Sequence, residues 1–377
     1  MIKNIIEFNK PFTSYNDKKY IDDVFKKNKF ADGFYQKKCE NFIKEKINSK
    51  FIALTQNCSS ALEISMILIN LKKNDEVIMP SYTFTSTANA VLLRGAKPVF
   101  ADVNIYDVNL KYESVIKKIN KRTKAIIVVH YAGNSCDMQK FLELKKKYNL
   151  YLIEDCAHSF MGKFKNRYLG TIGDFGSFSF HETKNLVGGQ CGAISINNTS
   201  FIKKAKIILD KGTDRAFITN KKKYYSWKGI GSEFRSAELP AALLYSQLTK
   251  FNKIDKKRNL ISNYYKKKFL PLEKKKFFLI KSDPKNKSAN HIFALIFKNL
   301  KLRDKFINFM KTKKIFCYFH YFPLHLSSFG RKFNKSIMKN TNKINNGLVR
   351  LPLYPGLKRK EISRIVDEVK NFNLIKD

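Results

Sequence analysis

Short runs of apolar residues, each followed by a segment with helical spacing, occupy the first half of the chain. The runs that we predict to be buried strands are 51–55, 76–79, 98–103, 125–130 and 151–155. The segments predicted as helices between them are about 57–71, 86–94 and 137–148. Apolar strands that alternate with helices are typical of an α/β fold with a largely parallel sheet, buried on both faces.

The second half of the chain has a different pattern. A predicted helix at 236–248 ends the α/β region, and the sequence becomes more basic from about 251. The β-like runs and helices expected beyond it are, in order, 277–280, 291–297, 301–313, 315–319 and 359–372. We therefore predict two domains, a large α/β domain over residues 1–250 and a smaller α+β domain over residues 251–377.

Composition limits the class of protein. Of the 377 residues, 44% are hydrophobic and 14% are aromatic, which fits a folded globular chain and not a disordered one. The longest apolar candidate, 61–71, contains Glu63 and Asn70, so we expect no membrane span, and the first residues lack a signal-peptide core. Six scattered cysteines without a C-x-x-C pair indicate reduced thiols in a cytoplasmic protein, with no disulfide framework or zinc site.

The net charge of +42 suggests an anionic partner such as nucleic acid or a membrane surface. However, the lysines lie in short runs along the whole chain, for example at 145–147 and 266–268, and no zinc finger, RNP motif or basic zipper accompanies them. We interpret the charge as mostly a solvated surface that also favours phosphorylated ligands. A regulatory or nucleic-acid-binding protein is the alternative.

One lysine precedes a glycine-rich turn. The stretch 173–193 runs through a predicted strand at 177–181 to Lys184 and then to Gly188 and Gly189. A lysine held close to a ligand can act as a Schiff-base nucleophile and proton carrier, because burial shifts its pKa readily. A solvated surface lysine would have the same local sequence, so this stretch alone does not decide between the two.

Polar residues at the ends of other predicted strands could complete a site around Lys184. Cys58 and Ser59 lie at a strand-to-helix junction, where backbone N–H groups can bind an anion, although a simple helix cap fits equally well. Asp155 ends an apolar strand and needs a cationic partner, either a protonated pyridine nitrogen or one of the many lysines. Phe84 could stack on a flat ring or belong to the core.

Most histidines also lie close to these candidate site residues in the sequence. All six except His291 lie in or next to these stretches. His320 and His325 fall in one loop-like segment, from which they could reach a phosphate or a sugar. For any one of them, a buried and hydrogen-bonded histidine of the core is the commoner explanation.

Together these stretches resemble the DegT/DnrJ/EryC1/StrS family of sugar aminotransferases, which are fold type I enzymes that use pyridoxal 5′-phosphate (PLP). The resemblance covers nearly the whole length and is carried by residues 55–63, 75–90, 94–103, 129–133, 154–158, 178–185 and 319–325. The sequence His-Glu-Thr-Lys-Asn at 181–185 and the segment His-Tyr-Phe-Pro-Leu-His at 320–325 are most similar to members that aminate dTDP-linked 4-keto-6-deoxy sugars.

The resemblance implies roles for the residues that match. Lys184 would bind PLP covalently and shuttle a proton, and Asp155 would keep the pyridine nitrogen protonated. Phe84 would stack on the ring, with His158 near the cofactor oxygen or the opposite face. The groups that would bind the phosphate are the amides of Cys58 and Ser59 and the hydroxyl of Ser179. The residues that would lie toward the sugar or nucleotide are Asn185, His320 and His325.

The resemblance also implies a substrate pair and an assembly. Glutamate would donate its amino group to C4 of a nucleotide-linked 4-keto-6-deoxyhexose, giving an amino sugar for a surface polysaccharide. The alternatives are amination at C3, a UDP-linked substrate, or the gluco instead of the galacto product. The dehydratase branch of the family has histidine in place of the lysine, so Lys184 argues against it. The chain would form a homodimer in which the partner subunit completes each active site.

Two positions depart from the family pattern. Many relatives read Gly-Glu-Gly-Gly where this chain has Gly-Gln-Cys-Gly at 189–192, so Cys191 puts the geometry of this turn in question. Arg235 stands where some relatives have an asparagine that contacts the phosphate of the neighbouring subunit. Arginine could take over that contact, or it could bind a carboxylate or a diphosphate.

Overall fold

The computed structural model describes residues 5–31, 33–218, 224–333 and 336–373. The strands in this part of the chain are β1 (Phe51–Thr55), β2 (Glu76–Pro80), β3 (Lys97–Ala101), β4 (Thr123–Val129), β5 (Tyr151–Cys156), β6 (Lys163–Phe164), β7 (Arg167–Tyr168), β8 (Phe175–Ser179), β9 (Gly192–Ile196), β10 (Phe278–Leu279), β11 (Phe293–Ile296) and β12 (Leu348–Leu351). The α-helices are α1 (Tyr15–Lys27), α2 (Phe34–Ile47), α3 (Cys58–Leu68), α4 (Thr85–Leu92), α5 (Tyr112–Ile116), α6 (Met138–Tyr148), α7 (Ile202–Leu209), α8 (Glu238–Thr249), α9 (Phe251–Phe269), α10 (Leu300–Thr312), α11 (Lys339–Gly347) and α12 (Arg359–Asn371).

A seven-stranded sheet is the centre of the larger unit. Its order is β1-β9-β8-β5-β4-β2-β3, and the pairs β2/β3, β2/β4, β4/β5 and β5/β8 are parallel. Side chains of β4 alternate between two cores: Ile126 and Val128 pack on one face, and Ala125 and Ile127 on the other. A sheet buried on both faces explains why its strands read as continuous apolar runs. The predicted α/β class with a largely parallel sheet is confirmed.

A three-stranded antiparallel sheet, β10-β11-β12, forms the smaller unit. Its core contains Phe269 of α9, Phe306 of α10 and Val366 of α12. Ile6, near the start of the chain, packs into the same core and forms a bridge with Ile315. We propose the division into two domains at residue 250, with this N-terminal segment returning to the second domain.

Several predicted boundaries differ from the structure. The strand expected at 177–181 lies at 175–179, and the first predicted helix of the α/β region ends at Leu68 instead of about 71. The β-like run at 315–319 is not a strand, because within the described ranges it makes only isolated bridges, Ile315 with Ile6 and Tyr318 with Arg350. Among the described helices, none is long and apolar enough to cross a membrane.

The fold brings the ends of several strands to one edge of the large sheet. The parallel strands β2, β4, β5 and β8 all end there, and β1 runs in the same direction because it and β8 are both antiparallel to β9. The smaller sheet packs over this edge, where Ala294 and Leu348 contact Tyr82 and Tyr131. A binding site at this edge is what a parallel α/β sheet favours.

Candidate active site

A cavity of about 720 Å³, which we call the Lys184 cavity, lies between the edge of the large sheet and the segment 319–322. The predicted site residues that line it are Cys58, Ser59, Phe84, Asp155, His158, Ser179, Lys184 and His320. These residues come from five separate stretches of sequence, so their meeting in one cavity is a property of the fold.

Lys184 reaches the cavity from a turn that follows β8. Its backbone N–H donates to the carbonyl of His181 at 2.8 Å, and the N–H of Gly188 donates to the carbonyl of Phe180 at 2.8 Å. Burial lowers the pKa of Lys184 to about 8, and the charge of Arg350 adds to this, while Cys58 and Asp155 oppose it. No carboxylate of the described chain lies within 4.0 Å of its amine. Part of the amine is therefore neutral near physiological pH, as a nucleophile requires.

The turn after the lysine accommodates Cys191 without strain. Gly189 supplies the left-handed backbone conformation, with φ of 75°, and Cys191 does not have a positive φ. The Cys191 side chain is buried, with its sulfur 3.6 Å from Oγ of Ser236. Because the glycine that the turn needs is Gly189, a cysteine two residues later is compatible with this geometry.

Asp155 faces the same cavity from the end of β5. One carboxylate oxygen accepts from the N–H of Ala157 at 3.1 Å and the other from Oγ1 of Thr87 at 2.9 Å. Burial raises the pKa of Asp155, while these hydrogen bonds and the charge of Lys184 act in the opposite direction. A buried carboxylate with spare acceptor capacity can bind a protonated ring nitrogen.

The start of α3 offers two unused backbone donors. Asn57 caps the helix by accepting from the N–H of Ser60 at 2.9 Å, which leaves the first two helical N–H groups, those of Cys58 and Ser59, without a partner inside the helix. Gly192 of β9 packs so closely here that a Cβ would lie 2.4 Å from the backbone of Asn57. Two open N–H groups at a helix N-terminus suit a phosphate, with Ser179 at the end of β8 nearby in the same cavity.

Flat side chains form the rest of the wall. Nδ1 of His158 is buried without a hydrogen-bond partner in the described part of the chain, and Nε2 lies 3.2 Å from the hydroxyl of Tyr321. Burial holds the pKa of His158 well below its usual range, so the ring is neutral. Phe84, at the start of α4, is 59% exposed and its ring centre lies 6.4 Å from that of Tyr321. An unpartnered nitrogen and an exposed aromatic ring in one cavity fit a flat polar ligand.

Two rings that sequence reasoning did not assign to the site contact this wall from behind and do not line the cavity. The His291 ring packs 4.6 Å from the His158 ring, although His291 is the histidine that the sequence pattern set apart. The Tyr131 hydroxyl lies 3.1 Å from Nδ1 of His320. Tyr131 was visible as the residue after a predicted strand, but His291 lies on the smaller unit and had no local signal.

Three predicted site residues do not line the cavity. Asn185 donates to the carbonyl of Ala289 at 2.7 Å, and its oxygen lies 2.8 Å from Nδ1 of His291. Both ring nitrogens of His325 are occupied, by Oγ of Ser81 at 2.7 Å and by Oδ1 of Asn342 at 3.0 Å. The roles of Asn185 and His325 toward the substrate stay predictions.

Arg235 lies in a second cleft of about 650 Å³, which we call the Arg235 cleft; its lining includes Glu40, Asp210, Lys211, Glu233 and Arg235. Arg235 forms ion pairs with Asp210 at 3.3 Å and with Glu40 at 3.5 Å. Its predicted contact with a phosphate or substrate of the neighbouring subunit also stays a prediction.

The cavity as a whole fits PLP. Lys184 offers an amine for the aldehyde, Asp155 a carboxylate for the ring nitrogen, and the start of α3 a donor pair for the phosphate. His158 adds a buried nitrogen that has no hydrogen-bond partner among the described residues.

Comparison with known proteins agrees with this geometry. The profile of the DegT/DnrJ/EryC1/StrS aminotransferase family matches residues 13–370. A dTDP-3-amino-3,6-dideoxy-alpha-D-galactopyranose transaminase from Aneurinibacillus thermoaerophilus is 30% identical over 327 residues, which cover 86% of each chain. A GDP-perosamine synthase from Vibrio cholerae is 27% identical over 374 residues, covering 96% of this chain and 97% of the relative.

A solved structure has the same fold over the whole length. Helicobacter pylori PseC, an aminotransferase involved in the biosynthesis of pseudoaminic acid, superimposes with a TM-score of 0.90 at 25% identity, covering 98% of this chain and 99% of that one. The chain belongs to the DegT/DnrJ/EryC1/StrS aminotransferase family and is a PLP-dependent aminotransferase of nucleotide sugars.

Proposed function

We propose that this family member transfers the amino group of glutamate to C4 of a dTDP-linked 4-keto-6-deoxyhexose. The product is dTDP-4-amino-4,6-dideoxygalactose, for use in a surface polysaccharide. The observation that carries the proposal is the Lys184 cavity, in which a buried amine, a buried carboxylate and an open helix N-terminus meet. The amino-acid sequence of the segments 181–185 and 320–325 supports a 4-keto substrate.

Each group of the cavity has a task in this proposal. Lys184 binds PLP covalently, Asp155 pairs with the pyridine nitrogen, and the amides of Cys58 and Ser59 bind the phosphate. The other cofactor-binding residues are Phe84, His158 and Ser179, of which Phe84 and His158 lie against the ring and Ser179 donates to the phosphate. When bound, PLP supplies an electron sink for the negative charge that develops at the amino-bearing carbon.

Lys184 also moves the proton. Its pKa of about 8 leaves the amine close to half neutral at mildly alkaline pH. The same nitrogen can therefore take a proton from the α-carbon of glutamate, hold it and release it again in a later step. A base whose pKa lies near the working pH is the most efficient proton carrier. His320 and the aromatic segment 319–322 close the cavity on the side where the sugar enters and reduce its contact with water.

The proposal includes a homodimer in the cytoplasm. Tyr224 and Trp227 are both more than 80% exposed, and the strand-like bridges Thr213–Trp227 and Asp210–Glu233 hold this segment next to the Arg235 cleft. Exposed aromatic side chains beside a charged cleft support a subunit interface on this face. The six cysteines, which are scattered in the sequence without a C-x-x-C pair, support the cytoplasmic location.

A second candidate keeps the cofactor chemistry and changes the sugar. The name of the Aneurinibacillus relative supports amination at C3, and the name of the Vibrio relative supports a GDP-linked substrate. A UDP-linked substrate and the gluco product are further variants of the same reaction.

The experiment is a substrate panel. The PLP-loaded protein is incubated with glutamate and with dTDP-, UDP- and GDP-linked 4-keto-6-deoxy sugars and a dTDP-linked 3-keto sugar, and the products are identified by NMR. We expect an axial 4-amino product from the dTDP-linked 4-keto sugar, and no product with Lys184→Ala. Turnover of the 3-keto sugar alone would replace the C4 proposal by the C3 one. A protein without visible absorbance after PLP addition would instead favour a regulatory or nucleic-acid-binding role.

A further inference from the structure

One face of the smaller sheet turns toward the Lys184 cavity, and Arg350 lies on it. Along β12, Val349 and Leu351 pack into the core of the smaller unit, whereas Leu348 packs against Tyr82 at the edge of the large sheet. Side chains alternate along a strand, so Arg350 points the same way as Leu348. The guanidinium is therefore directed toward the carboxyl edge of the large sheet.

Arg350 is held in position while its charge stays unneutralised. Nη2 donates to the carbonyl of Phe319, a cavity-lining residue, at 3.2 Å, and the ring of Phe8 lies 4.5 Å from Cζ. Nε is buried without a hydrogen-bond partner, and no carboxylate of the described residues lies within 4.0 Å. Burying a guanidinium without an acid is costly, and accordingly burial lowers its pKa. A group kept in this state has room for an anionic ligand.

The side chains next to Arg350 connect it with the cavity. The buried hydroxyl of Tyr82 has no hydrogen-bond partner among the described residues, although it lies close enough to Tyr131 for the two hydroxyls to affect each other's pKa. Tyr131 in turn contacts His320, which lines the cavity. The charge of Arg350 contributes to the low pKa of both His320 and Lys184. Arg350 and the reacting amine therefore belong to one electrostatic site.

We propose that Arg350, with the Tyr82 hydroxyl as a second donor, binds a carboxylate of the amino donor. The two parallel N–H groups on one edge of a guanidinium match the two oxygens of a carboxylate, and a carboxylate carries the single negative charge that one arginine neutralises. A sugar diphosphate would bring more negative charge than this position offsets. The inference rests on the proposed aminotransfer from glutamate and adds the residue that recognises it.

The test separates donor recognition from cofactor and sugar binding. Arg350→Gln, Arg350→Lys and the matched control Arg359→Gln, an exposed arginine at the start of α12, are loaded with PLP. The rate of the half-reaction with glutamate is followed by the visible absorbance change without sugar, and again with 4-aminobutyrate, which lacks the α-carboxylate, and with alanine, which lacks the side-chain carboxylate.

We expect Arg350→Gln to lower kcat/KM for glutamate by about 30-fold or more, mainly through KM, with Arg359→Gln unchanged. Arg350→Lys restores only part of the rate, because it keeps the charge without the paired N–H groups. If the rate with one analogue is the same in Arg350→Gln as in the wild type, the carboxylate that this analogue lacks is the one that Arg350 binds. The KM for the ketosugar stays the same.

A second readout does not need turnover. Glutarate should raise the melting temperature of the wild-type protein and fail to do so for Arg350→Gln. If Arg350→Gln does not fold, Tyr82→Phe, which removes only the unpartnered hydroxyl, should still raise the KM for glutamate roughly tenfold. Wild-type glutamate kinetics in Arg350→Gln, or a change in the KM of the sugar instead, would overturn the inference. A wild-type protein that does not respond to any amino donor would contradict the proposed function itself.

Discussion

The Lys184 cavity and the Arg235 cleft are similar in volume, about 720 and 650 Å³, and both contain charged groups. They differ in how those charges are used. In the cleft, Arg235 is paired with Glu40 and Asp210. In the cavity, Lys184 is half-buried and Asp155 is buried, the two form no ion pair, and each has a pKa shifted toward its neutral form.

The comparison separates charges that stabilise a fold from charges that can react. An ion pair whose partners satisfy each other contributes to stability and has little affinity left for a ligand. A buried charge without a partner costs stability, and a protein retains it where a ligand or a reaction uses it. Four predictions follow from this difference, three on substitutions and one on a pH dependence, and each names a result that would contradict it.

Lys184→Ala should have the largest effect. Without the amine there is neither covalent attachment of PLP nor a proton carrier, so we expect at least about a 10⁴-fold loss of kcat. The measurement is product formation from glutamate and the ketosugar, with Lys203→Ala on the exposed side of α7 as the matched control. Activity within tenfold of the wild type would place the chemistry elsewhere.

Asp155→Asn should separate activity from stability. It keeps the volume of the side chain but removes the negative charge, so we expect a loss of about 10²- to 10³-fold in kcat. Burial raises the pKa of the folded carboxyl above its ordinary value, so its ionisation at pH 7 costs the apoprotein stability, and this cost rises as the pH increases through that pKa. The melting temperature of the apoprotein at pH 7 should therefore stay the same or increase. A large decrease would mean that Asp155 is structural.

Part of the site could be predicted from the sequence. Cys58, Asp155 and Lys184 could be predicted because each lies at or just after the end of an apolar strand, and the ends of parallel strands meet at one edge. Ser179 was predicted only from the resemblance to the family. The antiparallel direction of β9 could not be predicted, because a buried strand has the same apolar sequence pattern whether it is parallel or antiparallel to its neighbours.

Two residues that the smaller unit places beside the site were beyond sequence reasoning, although His320 of the same unit was predicted and lines the cavity. His291 and Arg350 reach the site only because the face of the smaller sheet packs against Tyr82 and Tyr131, and no local pattern encodes that contact. Helix α9 was not predicted either, since its many lysines obscure the spacing of its buried positions. The run at 315–319 is apolar, as buried strands are, but its bridge partners among the described residues, Ile6 and Arg350, are single residues distant in sequence.

The attachment of PLP should follow the lowered pKa of Lys184. The neutral amine reacts with the aldehyde, and its fraction rises with pH through about 8 instead of the ordinary 10.5. The initial rate of absorbance change on mixing apoprotein with PLP should therefore increase up to pH 8 and then level off. A rate that keeps rising tenfold per pH unit to pH 10 would show an ordinary, solvated lysine.

Arg235→Gln should have the smallest effect in the subunit described here. Its two ion pairs are partly exposed, so we expect a loss of about 1 kcal/mol in the free energy of unfolding, measured by urea denaturation, with kcat nearly unchanged. A marked increase in the PLP or sugar concentration needed for half-maximal activity would instead support the predicted contact with the neighbouring subunit. Arg235 would then be a ligand-binding residue and not only a partner in ion pairs.

The central claim is that one lysine, among the 73 basic residues of the chain, carries the cofactor. The direct measurement is reduction of the PLP-loaded protein with borohydride, followed by proteolysis and mass spectrometry of the labelled peptides. The account predicts a single stoichiometric pyridoxyl label on Lys184. A label spread over surface lysines, or one at a different position, would contradict it.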